Sequence, residues 1–176
     1  MGTLRVVFVS SEGVALPLLR AASAWSRALP PYEVKDIDDA LAVDYLVDSG
    51  LRRPVAEEAV RTITGGRFAL LLHVANAVVT KPIADIRNEL DNGTDSTLKE
   101  LGILPTHGLF RALIAEGRVP TRKALDLLLP AKLAALLKAN IIALHPDGAY
   151  TVHARHIESF LLGKVEEQAE DGDQRT

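Results

Sequence analysis

The sequence contains no cysteine, which excludes disulfides, thiol catalysis and cysteine-ligated metal sites. Aromatic residues are also scarce, with one tryptophan, three tyrosines and four phenylalanines among 176 residues. No apolar run approaches the ~20 residues that a membrane-spanning helix needs. The first residues lead straight into an apolar run, without the charged region and cleavage site of a signal peptide. We therefore expect a soluble intracellular protein, cytoplasmic or nuclear, that makes no membrane contact.

A phosphate-binding loop is absent as well. The motif Gly-x-x-x-x-Gly-Lys-Ser/Thr occurs nowhere in the chain, and no apolar run ends in the acidic pair that holds magnesium. Backbone N–H groups, the motif lysine and the metal supply most of the charge stabilisation in phosphoryl transfer. We therefore expect that this chain binds no magnesium and does not hydrolyse ATP alone.

Charge is nearly balanced overall but unevenly distributed. The net charge of −3 gives no general reason to expect a polyanionic partner. Residues 105–164, however, carry 8 basic and 4 acidic side chains, whereas residues 165–176 carry 1 and 5. The sequence thus predicts a mildly basic region followed by an acidic tail, which we expect to be disordered.

The first apolar run, residues 4–11, is rich in β-branched side chains and ends in Ser10 and Ser11. Such a continuous run is typical of a strand buried on both faces of a parallel sheet. Residues 14–28 follow with a short helical pattern, which Pro30 and Pro31 end. The nearby chain offers no further strands to complete such a sheet.

Residues 32–80 show the pattern of three helices. The spacing predicts a helix over 38–49, with Asp36 as its cap and Gly50 after its end, and a second helix that begins at Pro54. The pair Gly65-Gly66 predicts a sharp break, and residues 68–79 then carry a strong apolar stripe. Three helices so spaced make a small helical subdomain.

The second half shows a different order of elements. More helix is expected over residues 81–104, with a polar break at 91–95. Thr106 is expected to cap a helix that Gly117 ends, and two helices follow over 122–129 and 131–139. Apolar runs at 141–145 and 149–153, joined by a turn at 146–148, predict a hairpin before a last helix over 157–165. Three helices followed by a two-stranded hairpin is the order of a winged helix.

Several short segments, in order, resemble one family. They are Val-Val-Phe-Val-Ser-Ser-Glu-Gly at 6–13, Ser-Ala-Trp-Ser-Arg-Ala at 23–28, Tyr-Glu-Val-Lys-Asp-Ile at 32–37, Thr-Gly-Gly-Arg at 64–67 and Leu-Leu-Lys-Ala-Asn-Ile-Ile-Ala-Leu-His-Pro at 136–146. Together they resemble the C-terminal half of P-loop ATPases of the STAND/AAA+ type, in particular a group from fungi.

The resemblance implies a mainly α fold with a small β component, in which a partial α/β P-loop ATPase core precedes a helical lid and a winged-helix domain. Residues 1–31 would be the last strand and helix of the core, 32–80 the lid and 81–104 a linker helix region. Residues 105–164 would form the winged helix, and residues 165–176 the acidic tail. ATP would bind only together with the missing N-terminal core.

The resemblance also implies site residues in the core segment. Ser10 or Ser11 matches the polar sensor of the γ-phosphate, and Arg27 matches an arginine that contacts the γ-phosphate or acts as an arginine finger. In a complete ATPase, Ser11 and Arg27 would be the catalytic residues. The residues alone also fit ordinary strand-end capping by the serines and a surface arginine stacked on Trp25.

A second group of implied nucleotide contacts lies at the lid corner. Gly66 and Arg67 match the corner that senses nucleotide in such ATPases, although Phe68 stands where the family usually has a proline. Glycine also stops helices because it tolerates positive φ. Gly65 and Gly66 therefore fit a simple helix stop equally well.

Three histidines, His145, His153 and His156, surround the expected hairpin. His145 and His153 are expected to face each other across the strands. No carboxylate or cysteine joins them at ligand spacing, so a solvated face of the wing is favoured over a metal site.

A winged helix also suggests nucleic acid as a partner. The candidate contacts are Arg122, Lys123, Lys132 and Lys138, with Arg118 just before them. The helix over 131–139 carries no Asn, Gln or Arg to recognise base edges. We expect at most weak, nonspecific contact, and packing against protein is favoured.

The leading hypothesis is therefore the sensor strand, lid and winged helix of a STAND/AAA+-like ATPase, whose partner is the missing ATPase core or a homologous protein. The alternative is a non-enzymatic winged-helix adaptor that binds protein or nucleic acid. Whether the protein acts as an enzyme stays open at this point.

Overall fold

The computed structural model describes residues 34–173, and these form eight α-helices and a three-stranded antiparallel sheet. The expectation of a mainly α fold with a small β component is confirmed for this part of the chain. The expected strand at 4–11 and helix at 14–28 lie outside the described residues. None of the helices between residues 34 and 173 has the combined length and apolarity needed to cross a membrane.

The elements follow in this order: α1 Asp39–Asp48, α2 Arg53–Ala59 with a π-helical turn Val60–Thr64, α3 Phe68–Ala77, α4 Ile83–Glu100, α5 Gly108–Glu116, β1 Val119–Pro120, α6 Thr121–Leu127, α7 Pro130–Lys138, β2 Ile142–Leu144, β3 Ala149–Val152 and α8 Arg155–Asp173.

The described residues pack around two hydrophobic clusters. The first joins α1, α2, the π turn and α3, and it includes Leu46, Ile63 and Leu71. The second joins the helices and strands from α5 to α8 around residues such as Phe110 and Leu136.

Helix α4 contributes to both clusters. Ile86 near its start is buried in the first cluster, and Leu98 near its end is buried in the second. At 1.5 Å per residue these positions lie roughly 18 Å apart along the helix. The region expected as a linker is thus one continuous helix that is packed at both ends.

The expected polar break at 91–95 is wrong, because α4 runs through it. Thr94 is buried there, and its hydroxyl donates to the carbonyl of Leu90, so its polar group is satisfied within the helix. Gly93 costs about 1 kcal/mol relative to alanine. Burial of Ile86 and Leu98 on either side offsets that cost.

Both expected helix caps lie one or two residues too early. Asp38 caps α1, since its Oδ1 accepts from the Leu41 N–H at 2.9 Å. His107, not Thr106, caps α5, where Nδ1 accepts from the Leu109 N–H at 3.2 Å. A side chain caps a helix from the position directly before the first helical residue, and the chain reaches helical geometry later than the sequence pattern suggests.

The apolar stripe expected in residues 68–79 is only partly buried. Within α3 the buried residues are Leu71 and Val74. Phe68 and Leu72, and Val79 just beyond the helix, are exposed. The helix therefore uses only a narrow part of its apolar surface inside the first cluster.

The last helix continues beyond its expected end at residue 165. Helix α8 reaches Asp173, so the expected disorder of the acidic tail is wrong as far as that residue. Buried Leu161 anchors the helix, and Lys164 pairs with Glu167 one turn later at 2.8 Å. Once the buried part has formed, each further residue adds to an existing helix, which avoids the cost of nucleation.

The sheet has the strand order β1-β3-β2. Val119 pairs with Tyr150, and Ile142 pairs with Val152, both in antiparallel register. The expected hairpin is confirmed, with Gly148 at φ +83° in its turn.

Candidate functional site

The expected site residues fall into three groups. Ser10, Ser11 and Arg27 lie outside the described residues. Gly66 and Arg67 lie at a corner between the π turn and α3. The four candidate nucleic-acid contacts, Arg122, Lys123, Lys132 and Lys138, lie on α6 and α7.

The two glycines of the corner are required by the backbone. Gly65 has φ +51°, a conformation that side chains strongly disfavour. Gly66 lies so close to Ile37 that a Cβ on it would meet the Ile37 carbonyl oxygen at 1.6 Å. The Ile37 N–H also donates to the Gly66 carbonyl at 3.0 Å. Chain packing thus gives Gly66 a structural role, apart from any contact with a ligand.

Arg67 follows directly and lies at a cleft between the two clusters. Its side chain is 25% exposed, and its Nε is 3.7 Å from Oδ1 of Asp36. That separation, with a carboxylate more than half exposed, gives a weak ion pair. The guanidinium therefore keeps most of its capacity to attract an anion.

The cleft has a volume of ≈ 460 Å³. The start of α3, the second half of α4, the end of α7, and the segment between β3 and α8 form its walls. Leu70, Leu90 and Ile157 supply apolar surface, and Thr97 and Asn140 supply hydrogen-bonding groups. The volume is in the range of small-molecule sites, but the cleft is shallow and largely open to solvent.

Two histidines line the same cleft. Burial and, to a smaller extent, the positive charge of Arg67 together lower the pKa of both His153 and His156 to about 4. Both imidazoles are therefore neutral at pH 7. His156 is hydrogen-bonded to the backbone of Ile63 in the π turn, while its buried Nδ1 has no partner among the described residues.

The interpretation of these histidines as a solvated face is wrong for His153 and His156, which are half-buried. The expected pairing of His145 with His153 is also wrong. The hairpin register places Ile141 opposite His153 and Ala149 opposite His145. His145 instead lies 2.8 Å from the Thr151 hydroxyl through its Nε2.

The cleft joins the guanidinium of Arg67, the neutral imidazoles of His153 and His156, and the carboxylate of Glu89, which is paired with Lys81. A neutral imidazole can donate one hydrogen bond and accept another, and a nearby anion raises its pKa. The arrangement is suited to an anionic group such as a phosphate. Between residues 34 and 170, no group of three or more His, Asp or Glu side chains is placed to hold a metal ion.

The sequence offered no signal that brings Arg67 to the two histidines. Arg67 and His153 lie far apart in the chain, and the contact depends on how α8 packs against the π turn. The spacing of His153 and His156 around the start of α8 is the one local pattern that placed two of the three residues together.

The basic residues of the second half occupy different surroundings. Lys123 pairs with Glu116, and Lys132 donates through Nζ to the Gly102 carbonyl at 2.8 Å. Arg122 and Lys138 are exposed. The exposed positions of α7 otherwise carry Pro130, Ala131 and Ala134.

No protein-family model matches this chain, and neither does any curated protein or any solved structure. The geometry of the described residues is therefore the basis for any functional argument.

Proposed function

We propose that this chain is the lid and winged-helix part of a STAND/AAA+-like nucleotide switch. In this proposal Arg67 contacts the phosphates of a nucleotide that is held mainly by an ATPase core outside residues 34–173. The observation that carries it is the position of Arg67 in a cleft between the two clusters, weakly paired and beside two neutral imidazoles. A phosphate bound there would contact both clusters at once.

The order of elements in the second cluster supports the winged-helix part of the proposal. Helices α5, α6 and α7 precede the hairpin β2–β3, and β1 adds a third strand beside β3. Burial of Leu133, Leu136 and Leu137 fixes α7 onto this sheet. In such a switch, a winged helix packed by apolar contacts moves as one body with α8.

The core segment completes the proposal. Ser10 or Ser11 would sense the γ-phosphate and Arg27 would contact it, in the presence of the missing core. Without a phosphate-binding loop, the chain alone is expected to bind ATP weakly and not to hydrolyse it. Its partner would be an ATPase core or a homologous protein.

Titration of inorganic triphosphate into the full chain, followed by amide NMR shifts at low salt, tests the role of Arg67. We expect weak, saturable binding with the largest shifts at residues 66–67 and 153–157. Arg67→Ala should abolish these shifts. Arg61→Ala is the matched control, because Arg61 is an exposed arginine on the neighbouring π turn that pairs with Glu58.

Two results would contradict the proposal. The first is the absence of shifts around the cleft. The second is an ATP affinity in the micromolar range that survives Arg67→Ala, since a micromolar Kd corresponds to about −8 kcal/mol and would require a phosphate site elsewhere.

A second candidate function is an adaptor that binds protein or nucleic acid through α7. The exposed Leu129 at the start of α7, together with exposed alanines, favours a protein partner over base recognition. Nonspecific DNA binding would require the exposed cations Arg122 and Lys138. Salt-dependent binding to duplex DNA that Lys138→Glu weakens would favour the adaptor over the switch.

A further inference from the structure

The first cluster carries an apolar surface that its own core does not use. Leu41 is 57% exposed, Phe68 57% and Leu72 45%. Tyr45, half-buried, connects them because its ring centroid lies 5.4 Å from that of Phe68. Leu41 and Tyr45 are one turn apart on α1, as Phe68 and Leu72 are on α3, so the four form one continuous surface, here called the α1–α3 face.

Contiguous exposed apolar surface of this kind marks an interaction site in folded proteins. The buried side chains of α3, Leu71 and Val74, face the core, so the α1–α3 face is additional to it. Its edge is acidic. Asp38, directly before α1, and Asp48, at its end, are exposed at three and seven residues from Leu41, whereas exposed Asp44 is paired with Arg53 at 2.8 Å.

We propose that residues 14–28 of the same chain cover the α1–α3 face. Those residues carry a helical pattern in which Leu18, Ala22 and Trp25 share one stripe, while Arg20 and Arg27 lie on the opposite side. The stripe supplies apolar surface that needs burial, and the arginines can remain hydrated.

The link between residue 28 and α1 is short enough to favour residues 14–28 as the segment that covers the α1–α3 face. The described chain begins at Val34, and hydrogen bonding to Gly66 holds Ile37 next to Phe68. The residues between 28 and 37 can span about 30 Å when extended. A tethered segment reaches a neighbouring surface at a high effective concentration, which a separate partner lacks.

Charge adds a second reason. Residues 14–28 contain two arginines and no acidic residue. They would lie within roughly a Debye length, about 10 Å, of the acidic edge of the α1–α3 face. This inference does not depend on whether Arg67 binds phosphate.

Trp25 is the single tryptophan of the chain, so its fluorescence reports on this segment alone. In the full chain we expect a blue-shifted emission that acrylamide quenches poorly, because the indole is buried against the α1–α3 face. Leu72→Asp should shift the emission to the red and raise quenching several-fold. Leu104→Asp is the matched control, since Leu104 is an exposed leucine outside both helices of the face.

Far-UV circular dichroism establishes that each variant remains folded, and Phe68→Ser replaces Leu72→Asp if that variant unfolds. Three results would overturn the inference. They are a fully hydrated Trp25 in the unmodified chain, a buried Trp25 that neither face variant releases, and a Trp25 emission that depends on protein concentration, which would place a second copy on the face.

Discussion

Replacing Gly66 by alanine would place a methyl group where the backbone of Ile37 already lies. The added Cβ would be 1.6 Å from the Ile37 oxygen, 2.7 Å from its carbon and 2.9 Å from its nitrogen. All three are backbone atoms, so no rotamer change relieves the overlap, and the segment before α1 must move away. The hydrogen bond from Ile37 to Gly66 would then be lost.

The expected cost follows from these contacts. Loss of one backbone hydrogen bond and weakening of the Asp38 cap predict that the free energy of unfolding falls by about 1–3 kcal/mol. Urea denaturation followed by circular dichroism measures it. The control is Gly163→Ala in α8, where a Cβ meets nothing within 4 Å. That change should stabilise the protein by up to about 1 kcal/mol.

A Gly66→Ala variant that unfolds at the same urea concentration as the unmodified chain would refute this reasoning. That result would mean that Gly66 has no packing role. A close approach of nucleotide to the backbone would then be the better account of this glycine. If Gly66→Ala loses stability, in contrast, a loss of ligand binding in that variant can result from the altered fold. It is then no evidence that Gly66 contacts the ligand directly.

Three further predictions concern the same region. The folded pKa values of His153 and His156, about 4, lie below the ordinary value of 6.5, so the unfolded state takes up protons first as the pH falls. The free energy of unfolding should therefore be highest above pH 6.5 and fall as the pH drops to about 4. Allowing for partial exposure, the loss should be roughly 1–2 kcal/mol per histidine, and urea denaturation at each pH would measure it. Arg67→Ala should raise the pKa of both imidazoles, measured by NMR titration, and an unchanged pKa would place the guanidinium away from them. Asp38→Ala should lower the free energy of unfolding by about 1 kcal/mol through loss of the α1 cap. Asp36→Ala removes only an exposed ion pair and should lower it by less than about 0.5 kcal/mol. The reverse order would mean that Asp36 caps the helix.

Features decided within a few residues of sequence were predicted correctly. Pro54 lies in the first turn of α2, directly after its first residue Arg53, and Gly50 and Gly117 follow the ends of α1 and α5 with positive φ. The turn at Gly148 sets the hairpin. Each depends on the intrinsic backbone preference of one residue, which does not change with tertiary context.

Features that depend on long-range packing were not predicted. Residues 91–95 look like a break because Asn92, Gly93 and Asp95 disfavour helix, but burial on both sides of them decides the structure. The cleft is a similar case. His153 is polar and near a turn, and only the packing of α8 against the π turn shows that it is half-buried beside Arg67.

Three consecutive residues connect the candidate site with the α1–α3 face. Gly66 holds the backbone of Ile37, Arg67 lines the cleft and Phe68 lies on the face. The two surfaces therefore share one short stretch of backbone, which the contact of Gly66 with Ile37 holds in place. The proposed phosphate site and the proposed docking surface for residues 14–28 therefore lie next to each other in the chain. Any effect of phosphate binding on the docking of residues 14–28 must be matched by an equal effect of docking on phosphate affinity, as thermodynamic linkage requires.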